Sequence, residues 1–292
     1  MHYTLRLKGK PYTISKPEVM GILNVTPDSF YAGSRKQTET DIADRANEII
    51  AQGATMIDIG AMSTRPEGDN VTVEEEMNRL RFALPIVRRE QPDAILSVDT
   101  FRPDVARMAV EEYGVDIIND VGQPVCEIGK GSVSLEPMLR EVARLGTPYI
   151  IMSRDATMEA MRNFFDENIS LLNEQWKMEN GECHSNPTVA ANSSLSSLHS
   201  SLILDPGYGF GKDIQENYAI LRRQSELLSY GFPILAGVSR KRMVWQVLNS
   251  SANEALNGTT VLNTIALQQG AAILRVHDVK EAVEVVKITE LL

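Results

Sequence analysis

Short apolar runs and longer amphipathic stretches follow one another along this chain with a regular beat. Strand-like runs fall at 19–23, 56–59, 94–98, 115–118, 149–152, 202–204, 234–238 and 272–276. Stretches with helical spacing lie between or after them, among them 41–52, 73–89, 105–113, 135–145 and 281–291. Strands that are apolar on both faces and alternate with amphipathic helices predict parallel βαβ units. Eight such units in about 250 residues are the count and length of a (β/α)8 TIM barrel, an α/β fold. A doubly wound open sheet is the competitor. It is disfavoured because no Gly-rich nucleotide fingerprint follows the first strand.

Residues 3–15 alternate polar and apolar around Gly9-Lys10, which predicts a short β-hairpin ahead of the barrel. The expected organisation is an N-terminal hairpin extension over 1–16 and a single barrel domain over 17–292. Residues 181–201, rich in Ser, Asn and Ala, break the beat and read as a solvated insertion.

Composition narrows the function classes. The 292 residues carry a net charge of −10, which argues against a nucleic-acid binder or an anionic-membrane binder. A few basic residues could still make a local anion site. Cys126 and Cys183 are far apart, so neither a disulfide framework nor a zinc cluster is expected. The N-terminus has no apolar signal-peptide core, and no run is long enough to span a membrane. A soluble cytoplasmic protein is the expectation.

The chemistry is positional. Strand-like runs end in Asn24, Ser63-Thr64-Arg65, Asp99-Thr100, Asn119-Asp120, Asp205, Ser239-Arg240-Lys241 and Arg275-Val276-His277-Asp278. In a parallel barrel these ends converge on one face, where active sites sit. Any one of them is more often a cap or turn former, and Asp120, Asp213 and Asp278 are read that way. Together they mark a site. Asn24, Arg65, Lys241, Arg275 and His277 supply donors and positive charge suited to a phosphate or pyrophosphate. Asp99, Asn119 and Asp205 supply acceptors suited to a heterocycle presenting several N–H groups. The ligand so described has a nitrogen-rich head and an anionic tail. The stretch 205–212, DPGYGFGK, lacks the order of a phosphate loop, and its glycines are expected to allow close backbone approach and to set Phe210 against a ligand.

Taken in order, MGILNVTPDSF (20–30), DIGAMSTRPEG (58–68), SVDTFRPDVA (97–106), DIIND (116–120), LDPGYGFGK (204–212), GVSRK (237–241) and RVHD (275–278) resemble the dihydropteroate synthase family, over nearly the whole chain. The resemblance implies a transferase that joins 6-hydroxymethyl-7,8-dihydropterin pyrophosphate to p-aminobenzoate and releases pyrophosphate. It implies that Asp99, Asn119, Asp205 and Lys241 hold the pterin. Asn24, Arg65, Arg275 and His277 would bind the pyrophosphate, with Mg2+ at Asn24. Thr64, Pro66, Phe210, Lys241 and Arg242 would frame p-aminobenzoate. Asp28, Asp99 and Lys241 would be catalytic, the two carboxylates stabilising a cation-like pterin as pyrophosphate leaves. Sulfonamide sensitivity and a homodimer through the last helices are further implications. Leu262, Ile265, Ala266 and Leu267 fit such an interface and fit core packing equally.

The chain departs from the family pattern at three places. Ala61-Met62 stand where Gly-Glu is usual, Arg242 stands where a Ser or Thr is usual, and 152–157 read MSRDAT where a Met-His-Met-like segment is usual. These departures motivate one alternative, a catalytically silent pterin-binding paralogue; a second, a pterin-binding methyltransferase module, would share the barrel and the acidic pterin site.

Overall fold

The computed structural model describes residues 2–25, 35–62, 71–122, 134–179 and 201–292. The first element is a hairpin, β1 (Tyr3–Leu7) against β2 (Lys10–Ile14). Its turn is Lys8-Gly9, one position earlier than Gly9-Lys10, because both turn residues take positive φ (48° and 76°). That is the turn geometry whose twist matches the two strands.

Eight parallel strands follow: β3 (Glu18–Asn24), β4 (Met56–Gly60), β5 (Ile95–Asp99), β6 (Ile117–Asp120), β7 (Tyr149–Met152), β8 (Leu202–Asp205), β9 (Leu235–Ala236) and β10 (Ile273–Val276). They pair in the order β8-β7-β6-β5-β4-β3-β10-β9, and a parallel bridge from Leu204 to Ile234 brings the ends together. This is the (β/α)8 TIM barrel expected from the pattern. The seventh strand shrinks from the expected 234–238 to two residues.

Each strand splits its side chains between two cores. Ile57, Ile59, Leu96, Val98, Ile118, Tyr149, Ile151, Leu202, Leu204 and Leu274 point outward into the core shared with the helices. The inward positions form two tiers. Met20, Met56, Ile95, Ile117, Ile150, Ile203, Leu235 and Ile273 fill the N-terminal half of the barrel, and Leu5 and Ile14 of the hairpin plug it. On five of the strands the next inward positions are polar: Asp58, Ser97, Asp99, Asn119, Asp205 and Arg275. The apolar floor carries the stability, and the polar tier above it is left for chemistry.

The expected helices are present at Arg35–Ala51, Val73–Glu90, Pro103–Tyr113, Glu136–Leu145 and Val279–Thr289. Further helices at Met158–Glu179, Ile214–Arg223 and Leu256–Gln268 complete the outer layer. On the last of these, Leu262, Ala266 and Leu267 are buried in the core, so the dimer-facing reading of these three side chains is corrected. No helix among the described residues is long and apolar enough to cross a membrane.

Candidate active site

The polar tier is organised by one guanidinium. Arg275 donates Nε to Asp58 Oδ2 at 2.6 Å and Nη2 to Asp99 Oδ2 at 2.9 Å. Asn119 Nδ2 donates to the same Asp58 oxygen at 3.0 Å. Strand register explains the meeting: Asp58 stands beside Ser97 and Asp99 beside Asn119, while Arg275 lies a step lower beside Met20 and reaches upward. Burial lowers the guanidinium pKa, but Asp58 and Asp99 more than offset it, and Arg275 is held above its ordinary value. Burial pushes the Asp99 carboxyl up; Arg275 opposes that, and the neighbouring Asp58, Glu76 and Asp120 add to it.

Buried acceptors remain unused around this centre. Asp58 Oδ1, Asn119 Oδ1 and Ser97 Oγ make no hydrogen bond. An orphaned buried acceptor costs about 1–3 kcal/mol, and three together are what a ligand with several N–H groups could satisfy. Asp58 and Ser97 were not singled out from sequence. Their signal was available, since a carboxylate and a hydroxyl interrupt the apolar runs MIDIG and ILSVD at inward positions.

Asp205 and Lys241 extend the tier. Asp205 Oδ1 accepts from the Gly207 amide at 2.7 Å, which turns the chain directly after β8. Burial raises its carboxyl pKa, against the pull of Lys241. Lys241 donates Nζ to the Tyr208 carbonyl and stands 4.2 Å from the centroid of the Phe210 ring. Burial drives its pKa down to about 7, with Asp205 opposing. Two glycines make this packing possible. A Cβ on Gly207, at φ 66°, would meet the Ser153 carbonyl oxygen at 2.0 Å, and one on Gly209, at φ 79°, would meet Lys241 Cδ at 2.8 Å. The close-approach reading of DPGYGFGK is therefore realised. Lys212 then staples the loop, donating Nζ to Ser153 O (3.0 Å), Gly207 O (3.1 Å) and Phe210 O (3.3 Å).

At the rim, Asn24 is exposed at the end of β3, in register with Gly60, which in turn pairs with Asp99. His277 is exposed after β10, with Nδ1 3.1 Å from Ser239 Oγ and its carbonyl accepting from Arg45 at 2.7 Å. Loss of solvation around the ring and the charge of Arg275 push its imidazole down to about 4, so it is neutral at neutral pH. Arg242 is exposed at the start of the turn Arg242–Trp245. The neighbouring Arg240, at φ 52°, is pinned by Asp278 (Nη2–Oδ1 2.7 Å) and by the carbonyls of Ala252 and Asn253. Asp28, Thr64, Arg65 and Pro66 lie outside the described residues.

The residues read as structural have structural partners. Asp120 points away from the barrel interior and accepts from Tyr149 OH at 2.7 Å and Gly122 N at 2.7 Å. Asp213 is the N-cap of Ile214–Arg223 in a full capping box. Among the described residues no three His, Cys, Asp or Glu side chains gather into a metal cage.

A profile described as "Pterin binding enzyme" matches residues 20–277. Dihydropteroate synthase of Escherichia coli strain K12 is 36% identical over 287 residues, covering 97% of this chain and 94% of that protein. The chain belongs to the dihydropteroate synthase family of pterin-binding enzymes. Solved members of the family superpose closely. The Xanthomonas albilineans dihydropteroate synthase in complex with indole-2-carboxylic acid and 6-chloroguanine gives a TM-score of 0.79 at 30% identity, over 99% of this chain and 97% of that one. The same enzyme with 4-aminobenzoic acid gives 0.76 at 32% identity, over 100% and 98%. Membership makes this chain a transferase and accounts for the barrel.

Proposed function

We propose that this chain condenses 6-hydroxymethyl-7,8-dihydropterin pyrophosphate with p-aminobenzoate, giving 7,8-dihydropteroate and pyrophosphate. The observation that carries the reading is the set of buried, unpartnered acceptors on Asp58, Ser97 and Asn119 inside the mouth of the barrel. A pterin head presents N–H groups to match them. Asp99, Asn119, Asp205 and Lys241, joined by Asp58, hold the pterin in this account, and its carbonyl oxygen suits the Lys241 ammonium.

The anionic tail points to the rim. Asn24, Arg65, Arg275 and His277 bind the pyrophosphate, His277 as a neutral imidazole donor rather than as a cation. Mg2+ fits here as a hard cation that keeps several waters and takes few protein ligands, so an exposed amide oxygen at Asn24 suffices beside the substrate phosphates. When bound, the ion neutralises charge on the leaving group.

The C–O bond between the pterin methylene and pyrophosphate breaks first, and the electron-rich ring spreads the positive charge. Asp99 within the tier and Asp28 in the first loop stabilise that cation electrostatically. The amine nitrogen of p-aminobenzoate then attacks the methylene carbon, a C–N bond forms, and one proton is released. Phe210, Thr64, Pro66, Lys241 and Arg242 frame the benzoate. Sulfonamides would compete at that subsite. We further propose a homodimer through the last helices, where Val261 is half exposed. Incubating the purified protein with both substrates and Mg2+ tests the reading; dihydropteroate and pyrophosphate in equal amounts are expected, and no dihydropteroate would overturn it.

A further inference from the structure

Arg154 is the second residue after the end of β7, on the same face of the barrel as Asp99 and Asp205. A tight turn fixes its backbone: Ser153 Oγ donates to Asp155 Oδ2 at 2.7 Å, and the Asp155 amide donates back to Ser153 Oγ at 3.2 Å. The side chain crosses to the loop after β6, where Nη2 donates to the Val121 carbonyl at 3.0 Å. Its Cζ lies 5.6 Å from the centroid of Phe210, the ring that Lys241 also faces. The Nε atom is buried and has no partner.

Its charge is also under-compensated. Among the described residues no carboxylate comes within ion-pair distance of Arg154. The nearest influence is Asp120, whose two oxygens are taken by Gly122 N and Tyr149 OH. Burial accordingly pulls the guanidinium pKa below its ordinary value. A purely structural arginine tying two loops together would account for the Val121 bond and the ring contact. It would leave the Nε donor unexplained, and a buried donor without an acceptor is costly.

We propose that Arg154 is a further substrate-binding residue, donating Nε–H to an oxygen acceptor of a bound substrate, either the pterin carbonyl or the benzoate carboxylate. The proposal rests on the transferase reading. The side chain lies beside Phe210 and against the loop after β6, on the barrel face to which the transferase reading assigns both substrates.

The test uses the full chain and two variants, Arg154→Met and Arg154→Lys. Lysine can keep the bond to the Val121 carbonyl but has no donor at the Nε position. The dissociation constant of the pterin pyrophosphate is measured by calorimetry and the KM for p-aminobenzoate by steady-state assay. Arg154→Met is expected to raise one of these at least about tenfold, the loss expected for a hydrogen bond from a charged donor, with kcat within a few-fold. Arg154→Lys should recover the melting temperature but not the affinity. A raised pterin constant assigns the acceptor to the pterin; a raised benzoate KM assigns it to the carboxylate. Both constants within twofold of wild type in either folded variant would overturn the proposal. A wild type that forms no dihydropteroate would overturn the transferase reading instead, and calorimetry with the pterin pyrophosphate and with p-aminobenzoate would still decide Arg154.

Discussion

Arg275 of β10 donates to Asp58 of β4 at 2.6 Å over the intervening strand β3, joining residues 217 positions apart in the chain. The same guanidinium holds Asp99. One cation thus fixes two carboxylates, and Asp58 still has a buried oxygen without a partner, so the proposed pterin subsite would be set up before any ligand arrives.

Asp58 and Asp99 should respond differently to removal of charge. Asp58 is fully buried, and Asp58→Leu removes the acceptor of Arg275 Nε and of the Asn119 amide, leaving Arg275 only Asp99. A loss of about 3–5 kcal/mol, the scale for breaking a buried pair, is expected in urea unfolding. Asp99 is partly open at the strand end and can be replaced isosterically. Asp99→Asn should keep the fold and lose turnover by at least about a hundredfold, because it removes the charge that stabilises the cation. A destabilised but active Asp99→Asn would contradict that division.

Lys241 predicts the pH profile. With its pKa lowered to about 7, the free enzyme loses the ammonium as pH rises through neutrality. If the charged form binds the pterin carbonyl, kcat/KM for the pterin substrate should fall above about pH 7, and Lys241→Arg should move that limb to higher pH. Folding has the opposite slope. The unfolded chain holds this proton up to its ordinary value of 10.5, the folded chain only up to about 7, so stability gains from this group as pH rises between them. A kcat/KM profile that is flat from pH 6 to 9 would remove Lys241 from pterin recognition.

Lys212 should matter for the loop rather than for substrate. Lys212→Met leaves the carbonyls of Ser153, Gly207 and Phe210 without their shared donor. A loss of about 2–3 kcal/mol is expected by denaturant unfolding, together with a raised KM for p-aminobenzoate as Phe210 loosens. An unchanged KM would show that the loop holds its shape without the staple.

Much of this was legible in the chain. Eight apolar runs, seven of them ending in polar residues, were sufficient to predict the barrel and the face that carries its site, and Asp213, read as a cap or turn former, is the N-cap of Ile214–Arg223. What was hidden had physical reasons. Asp58 sits inside an apolar strand, and its meaning comes from Arg275, a partner that only barrel closure brings near. The helix Met158–Glu179 was not picked out by spacing, since Asn168 and Gln175 lie on its buried face. The Lys8-Gly9 turn was displaced by one residue because Lys accepts a positive φ there.

Arg242 is the departure best suited to a single substitution. It is exposed and makes no side-chain hydrogen bond among the described residues. Arg242→Ser should leave stability within about 0.5 kcal/mol, as for surface changes generally, and shift the affinity for p-aminobenzoate or a sulfonamide. Unchanged affinity for both would make Arg242 an ordinary surface residue.

The most direct measurement is a crystal structure of the protein soaked with the pterin pyrophosphate and Mg2+. The pterin ring is predicted to lie inside the barrel mouth, its N–H groups on Asp58, Asn119 and Asp205, with the pyrophosphate at Asn24 and His277. A pterin bound outside the barrel, or one that leaves the Asp58 and Asn119 oxygens without a partner, would contradict the account.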